Sequence, residues 1–319
     1  MPTLAPCRDS RSESQGVPAP SRLEREAAPF VKWAGGKGRI LAQLLPLLPP
    51  GVRFMRHVEP FAGGAALFFA RRPRRALLAD VNPSLIATYS SVRDEVENVI
   101  SALEPLAQAH CADHYYEMRQ RYNQQQNLPP ARRAALFIYL NKTCFNGLYR
   151  VNRRGNFNVP AGRYRNPRIL NAPLLRTASA SLANVELRCV GFESMLSLTR
   201  PGDFVYLDPP YAPASATANF TSYARDGFTS GMQVRLRDVF KELNRRGCRL
   251  MLSNSDVSQV RELYADFHVD TVAAPRAINR DAHRRGLVSE VVIRNYTVKG
   301  ESRPAAVLDG RRDYLASAS

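Results

Sequence analysis

Val205-Tyr206-Leu207-Asp208-Pro209-Pro210-Tyr211 is an apolar run that ends by delivering an acid, two prolines and an aromatic ring. A run of this kind, closed by turn residues, reads as a strand opening into a loop at its carboxyl end. Working outward, similar runs recur at His57 to Glu59, Ala76 to Ala79, Val185 to Val190, Arg249 to Ser253, Phe267 to Val272 and Glu290 to Tyr296. Helix-like stretches at Ala65 to Arg71, Leu85 to Glu97 and Met232 to Arg246 separate most of them. The alternation predicts an α/β fold on a doubly wound, mostly parallel sheet. Between the last two runs there is no room for a helix, so an antiparallel strand is expected near the C-terminus.

The interval from the second run to the third, roughly 88 to 180, is too long for one crossover. It reads as an inserted domain, helical over Tyr115 to Gln126 and Ala131 to Lys142 and turn-rich afterwards. The sheet-bearing domain then takes 29–87 and 181–299. Residues 1–28 and 300–319 are rich in Ser, Pro, Ala and charge without an apolar period, and read as disordered tails.

The 319 residues carry 45 Lys and Arg against 28 Asp and Glu, a formal net charge of +17. From Met118 to Val185 there is no acid, yet twelve bases stand there: Arg119, Arg121, Arg132, Arg133, Lys142, Arg150, Arg153, Arg154, Arg163, Arg165, Arg168 and Arg176. A merely solvated face usually interleaves acids with its bases. An unbroken basic stretch instead suits a polyanion, because each cation that meets a phosphate releases counterions whatever the base sequence.

No run of about 18 apolar residues occurs, and the first 28 residues lack the apolar core of a secretory signal. The chain therefore reads as soluble and cytoplasmic, with no membrane partner, and is expected as a monomer. Cys7, Cys111, Cys144, Cys189 and Cys248 are odd in number and far apart, with no Cys-x-x-Cys pair, so neither a disulfide framework nor a zinc site is indicated. His110 and His114, four apart near Cys111 and Asp113, lack any accompanying ligand motif; no metal is expected.

Asp208 to Tyr211 carries the chemistry. In open α/β sheets ligands bind beyond the carboxyl ends of the strands. An exocyclic amino group on adenine is a poor nucleophile because its lone pair is delocalised into the ring. The Asp208 carboxylate and the Pro209 carbonyl can each accept one of its hydrogens, which favours a pyramidal nitrogen facing a methyl donor. Pro209 and Pro210 stiffen this array, and Tyr211 offers a face on which an extruded base can stack. The bland alternative is an ordinary strand-to-loop turn.

The sequence resembles the Dam-type (D12 class) DNA adenine-N6 methyltransferases, whose catalytic motif is Asp or Asn, two prolines, then Tyr or Phe. The resemblance spans nearly all of 29–296, as separate segments in the family's order: FVKWAGGKGR (30–39), EPFAGGAALFF (59–69), ADVNPSLI (79–86), NKTCFNGLYRVNRRGNFNVPAGRY (141–164), DPPYAPASATANFTSYARDGF (208–228), LSNSD (252–256) and SEVVIRNY (289–296). It implies a Rossmann-like S-adenosylmethionine methyltransferase fold with an inserted DNA-recognition domain at 88–180. The implied reaction is direct methyl transfer to adenine N6, in GATC of double-stranded DNA, by base flipping. Two other readings compete: an RNA methyltransferase of the same fold, and a DNA-binding protein without activity.

The loop at Gly35, Gly36 and Lys37 is not a triphosphate site, since Gly38 follows the lysine where Ser or Thr would stand and Val31 replaces the first glycine. By resemblance this segment embraces the cofactor, with Trp33 packed against it and Lys37 at its polar end. Glu59 to Gly64 departs from the dinucleotide fingerprint, but Gly63 allows backbone to approach a ligand and Phe61 stands beside it. Asp80 ends the second run, where an acid can accept from two ribose hydroxyls; a helix cap before Pro83 is the plain alternative. Phe192 and Glu193 are expected to frame the cofactor's adenine, and Asp208 completes the set. In the insertion, Asn146-Gly147 and Arg154-Gly155 signal a hairpin over 143–161. The resemblance makes Phe145, next to Asn146, the wedge beside the flipped base, and Leu148, Arg150 and Pro160 the readers of base edges. Arg165, Asn219, Ser222 and Tyr223 are expected on phosphates, as are Arg276 and the basic residues from Arg280 to Arg285.

Overall fold

The computed structural model describes residues 27–125, 127–212, 228–275, 287–298 and 301. Its seven strands are β1 (His57–Glu59), β2 (Ala76–Ala79), β3 (Val185–Arg188), β4 (Phe204–Leu207), β5 (Arg249–Ser255), β6 (His268–Pro275) and β7 (Leu287–Arg294). They form one sheet in the order β3-β2-β1-β4-β5-β7-β6. All neighbouring pairs are parallel except those of β7, which runs antiparallel to both β5 and β6. The doubly wound, mostly parallel sheet with one antiparallel strand near the C-terminus is thus as the sequence predicts. β1, β2 and β4 are buried throughout, as strands covered on both faces must be.

Successive strands wind outward from β1 in one direction through β2 and β3, and from β4 in the other through β5. The switch lies between β1 and β4, which pair His57 with Phe204 and Val58 with Val205. Crossovers leave in opposite directions there, so a crevice opens at the carboxyl ends of these two strands. The loops leaving these ends are Glu59 to Gly64 and Asp208 to Tyr211, and the topology therefore brings the two motifs together.

Ten helices accompany the sheet among the described residues: α1 (Leu41–Leu44), α2 (Ala66–Arg71), α3 (Pro83–Asp94), α4 (Val96–Gln108), α5 (Ala112–Gln124), α6 (Pro130–Thr143), α7 (Ala172–Leu182), α8 (Met195–Leu198), α9 (Ser230–Arg245) and α10 (Ser258–Leu263). Alternate strand residues enter opposite cores: Val205 and Leu207 join Leu236 and Phe240 of α9, whereas Phe204 and Tyr206 face Leu44 and Leu67. A third apolar cluster runs from Leu78 and Val185 of the sheet through α3 into α4, α5, α6 and α7. Helix α6 is apolar around most of its circumference because α3, α4 and α5 pack on it from several sides.

The helix expected over Leu85 to Glu97 is two helices. Asn82 caps α3 by accepting from the Ser84 and Leu85 amides, Pro83 follows at the first turn, and Glu95 leaves helical geometry at φ −145° before α4 begins. No described helix is long and apolar enough to cross a membrane.

Candidate active site

Asp208 stands directly after β4, at the switch point, with 21% of its side chain exposed. Its Oδ1 lies 2.7 Å from Lys37 Nζ, an ion pair at contact distance. Lys37 is thus the charged partner of Oδ1. Burial is the largest influence on the acid and lifts its pKa to about 6; Lys37 opposes that rise, while Glu290 and Glu59 add to it. Lys37 itself is buried, donates to the Gly35 carbonyl at 2.8 Å and sits 4.6 Å from the centre of the Tyr211 ring.

The loop beyond Asp208 is bracketed from two elements. Gln233 of α9 donates to the Pro210 carbonyl at 3.2 Å and accepts from Asn254 of β5 at 3.1 Å. Asn254 in turn accepts from the Ala212 amide at 3.0 Å, and Ser255 donates to the Ala212 carbonyl at 2.7 Å. The bracket takes the Pro210 carbonyl and not that of Pro209. Tyr211 donates its hydroxyl to Glu290 of β7 at 2.6 Å. Burial and the neighbouring acids hold that phenol well above its ordinary pKa, so it stays a donor.

The glycine loop lies against the same crevice. Gly63 has φ +47°, and a Cβ there would meet Trp33 Cδ1 at 2.6 Å, so Trp33 can close on the loop only over a glycine. The Gly63 amide donates to Asp80 at 3.0 Å, its carbonyl accepts from Tyr89, and the Asn82 amide donates to the other Asp80 oxygen at 2.9 Å. Asp80 therefore joins the two loops, and the helix cap weighed for it is supplied by Asn82. Burial raises the Asp80 pKa against these backbone donors. Phe61 and Phe192 stack at 5.6 Å between ring centres, with Phe228 edge-on to Phe61. Glu193 follows Phe192 and is exposed.

Residues 33–278 match the model of the D12 class N6 adenine-specific DNA methyltransferases. The chain belongs to this family. It is an S-adenosylmethionine-dependent enzyme of the DNA adenine-methylating kind. It is 39% identical over 272 residues to a type II methyltransferase of Lactococcus lactis subsp. cremoris, covering 84% of this chain and 95% of that one. It is 37% identical over 265 residues to the DNA adenine methylase of Escherichia coli strain K12, covering 82% and 93%. Among solved structures, a putative class I S-adenosylmethionine-dependent methyltransferase of Listeria monocytogenes matches at a TM-score of 0.36 and 12% identity, over 91% of this chain and 66% of that one.

In this methyltransferase the stretch from Asn141 to Tyr149 touches residues 30–37 beside the crevice. Asn141 of α6 accepts from the Lys32 amide at 2.7 Å and donates to the Lys32 carbonyl at 2.8 Å, and Trp33 stacks on Tyr149 at 5.9 Å. Residues 144–161 turn back on themselves, with antiparallel bridges from Cys144 to Ala161 and from Val151 to Phe157. Phe145 is 47% exposed, beside Asn146 in left-handed geometry at φ +55°. Pro160 is exposed at the hairpin base, where its carbonyl accepts from the Phe145 amide. Arg150 is exposed and donates to Asn158 at 2.8 Å. Leu148, by contrast, is only 9% exposed and belongs to the helical core. Arg165 is exposed. Asn219, Ser222, Tyr223, Arg276 and the Arg280 to Arg285 stretch lie outside the described residues.

Sequence reasoning missed the bracket of Gln233 and Asn254, the clamp of Asn141, and Glu290, although Asn254, Asn141 and Glu290 fall inside segments shared with the family. It also missed a buried chain under the site. Arg71, which can only donate, lies 2.6 Å from His57 Nδ1, so the His57 Nε2–H faces Glu59 Oε1 at 2.6 Å. Burial pushes His57 well below and Glu59 up to about 8, so this contact is a hydrogen bond of a neutral imidazole. His110 and His114 both set their rings edge-on to Tyr139, and among the described residues no cluster of His, Cys, Asp and Glu could hold a metal ion.

Proposed function

We propose that this methyltransferase modifies adenine N6 in GATC sites of duplex DNA, after flipping the adenine out of the helix, and that it works as a monomer on DNA in the cytoplasm. The observation that carries the reading is Asp208: a carboxylate at the β1/β4 switch point, paired at one oxygen with the buried Lys37 ammonium, in a loop held from both sides.

The residues around the crevice fit the family's cofactor. Gly63 leaves the loop without a side chain, and Asp80 keeps lone pairs beyond its backbone donors for ribose hydroxyls. The Phe61 and Phe192 rings suit a purine, with Glu193 at hand for its amino group. Trp33 packs over Gly63, the turn of Gly35, Gly36 and Lys37 follows it, and Lys37 serves the carboxylate of the methionyl end. The bound cofactor supplies an electrophilic methyl group on a sulfonium. Asp208 and the Pro209 carbonyl accept the two N6 hydrogens of the target and aim the nitrogen lone pair; Pro210 and Tyr211 fix the loop and stack the base. No metal and no covalent enzyme intermediate takes part.

The segment 88–180 serves as the recognition domain. Phe145 fills the space left by the flipped base; Leu148, Arg150 and Pro160 read base edges, with Asn146 beside them. Arg165 positions phosphates together with Asn219, Ser222 and Tyr223. For Leu148 this role requires the hairpin to shift on DNA binding, because it is buried in the free protein. The deciding experiment treats plasmid DNA with enzyme and cofactor, then cuts it with nucleases that differ only in their response to methylated GATC. Protection confined to GATC is expected. Tritium transfer to DNA without GATC protection rejects the site assignment, and equal labelling of structured RNA rejects DNA as the substrate.

A further inference from the structure

An antiparallel strand begins where its parallel neighbours end. In this sheet β7 therefore starts at the catalytic rim, and its residue Glu290 pairs in register with Ser255 at the carboxyl end of β5. Glu290 shares a strand face with Val292, which packs with Tyr206 on the side of the sheet that bears Asp208. Its carboxylate accepts the Tyr211 hydroxyl at 2.6 Å and adds negative charge beside Asp208. Tyr211 is otherwise faced by the Lys37 ammonium at 4.6 Å.

We propose that Glu290 is a positioning residue for methyl transfer: it anchors the Tyr211 ring on which the target base stacks, and its charge keeps the neighbouring catalytic carboxylate a strong acceptor. This rests on the reading of Asp208 to Tyr211 as the base-holding loop. A phenol ring fixed only by its own torsions can swing, whereas one tied at its far end by a short charge-assisted bond presents a single face. Asp208 is faced by Lys37 from the turn at 37–39, Glu59 from β1, Tyr206 from β4, Tyr211 from its own loop and Glu290 from β7. Lys37 lowers its proton affinity; Glu59 and Glu290 raise it.

Four variants of the full chain separate the two parts of the proposal. Glu290→Ala is expected to lower kcat by about 10- to 100-fold with little change in DNA affinity, as for loss of orientation. Tyr211→Phe keeps the ring and the Glu290 charge but loses the tether, and is expected to lower kcat similarly without moving the acid limb of the pH profile. Glu290→Gln keeps an acceptor for the hydroxyl and is expected to hold kcat within about threefold while the acid limb moves to lower pH. In Tyr211→Phe the further change Glu290→Gln still moves the limb. Unchanged kcat in Glu290→Ala, or an unmoved limb in Glu290→Gln, overturns the inference. Near-native turnover in Asp208→Ala would instead sink the underlying reading of the loop, so the two failures are distinguishable.

Discussion

The rim of the sheet and the basic stretch from Met118 to Val185 handle charge in opposite ways. At the rim, Asp208, Asp80, Lys37 and Glu290 are few, largely withdrawn from water, and fixed by short bonds from backbone or neighbouring side chains. In the basic stretch, Arg153, Arg154, Arg163 and Arg165 are exposed and have no side-chain partner among the described residues. A charge held in a crevice acts strongly on one atom of a substrate, because little solvent screens it. Exposed charges act weakly on many phosphates and trade with salt. Removing one charge should therefore abolish chemistry in the first region and only grade affinity in the second.

Asp208→Ala gives the largest effect. Turnover should fall by at least about 10²–10³-fold, while duplex affinity measured by titration stays within a few-fold of the parent. The same acid sets a pH dependence. In the proposed role it must be ionised to accept from the amine, so kcat/KM of the free enzyme should decline as pH drops through about 6. A flat profile from pH 5 to 8 would remove Asp208 from the acceptor role.

The role proposed for Asp208 costs stability at this position. Folding raises the Asp208 pKa from 3.8 to about 6, so the folded state binds the extra proton. The contribution of this group is therefore most favourable below about pH 4 and is lost as pH rises through about 6. Above that the ionised group costs about 3 kcal/mol at most, by the size of the shift. Asp208→Asn should accordingly raise the melting temperature at pH 7.5 by several degrees and leave it nearly unchanged at pH 4. An equal change at both pH values would show that burial of charge is not the cause.

The two regions also differ in how much of each was legible in the chain. Fully buried parallel strands write themselves as uninterrupted apolar runs, and six of the seven starts fell within two residues of the expected ones; β7 begins three residues earlier, where Leu287 to Ser289 lack the β-branched density of Val291 to Ile293. The places of Asp208, Gly63 and Asp80 beyond strand ends were readable because each closely follows an apolar run. Glu290 and Gln233 were not, because each reaches the loop from an element far away in sequence and looks like an ordinary polar face residue. The basic stretch was readable as charge, but not as which of its arginines are already engaged: Arg133 donates to the Tyr122 and Gln125 carbonyls, and Arg119 to that of Val159.

Within the basic stretch, Arg165→Ala should weaken every duplex alike and reduce the slope of log affinity against log salt by about one unit. Arg150→Ala should mainly relax sequence choice, since its guanidinium sits on the hairpin beside Asn158 and suits a guanine edge. Competition between GATC and single-substitution duplexes reads the difference. If Arg150→Ala weakens all of them equally, Arg150 belongs with the phosphate contacts.

Arg176 is the case that sharpens the contrast most for the smallest effect. By sequence it is one of the twelve bases, yet in the structure its guanidinium meets both oxygens of Glu97, with Nε–Oε1 at 2.7 Å and Nη2–Oε2 at 2.8 Å, joining α7 to α4. Both partners are exposed, so the pair contributes little to folding. It nevertheless cancels the charge of Arg176 toward a distant polyanion. Arg176→Ala should leave the salt slope of duplex binding unchanged, and Glu97→Gln should not steepen it unless the freed guanidinium reaches a phosphate. A slope reduced by Arg176→Ala as much as by Arg165→Ala would mean that the count of basic residues, and not their pairing, decides how this surface meets DNA.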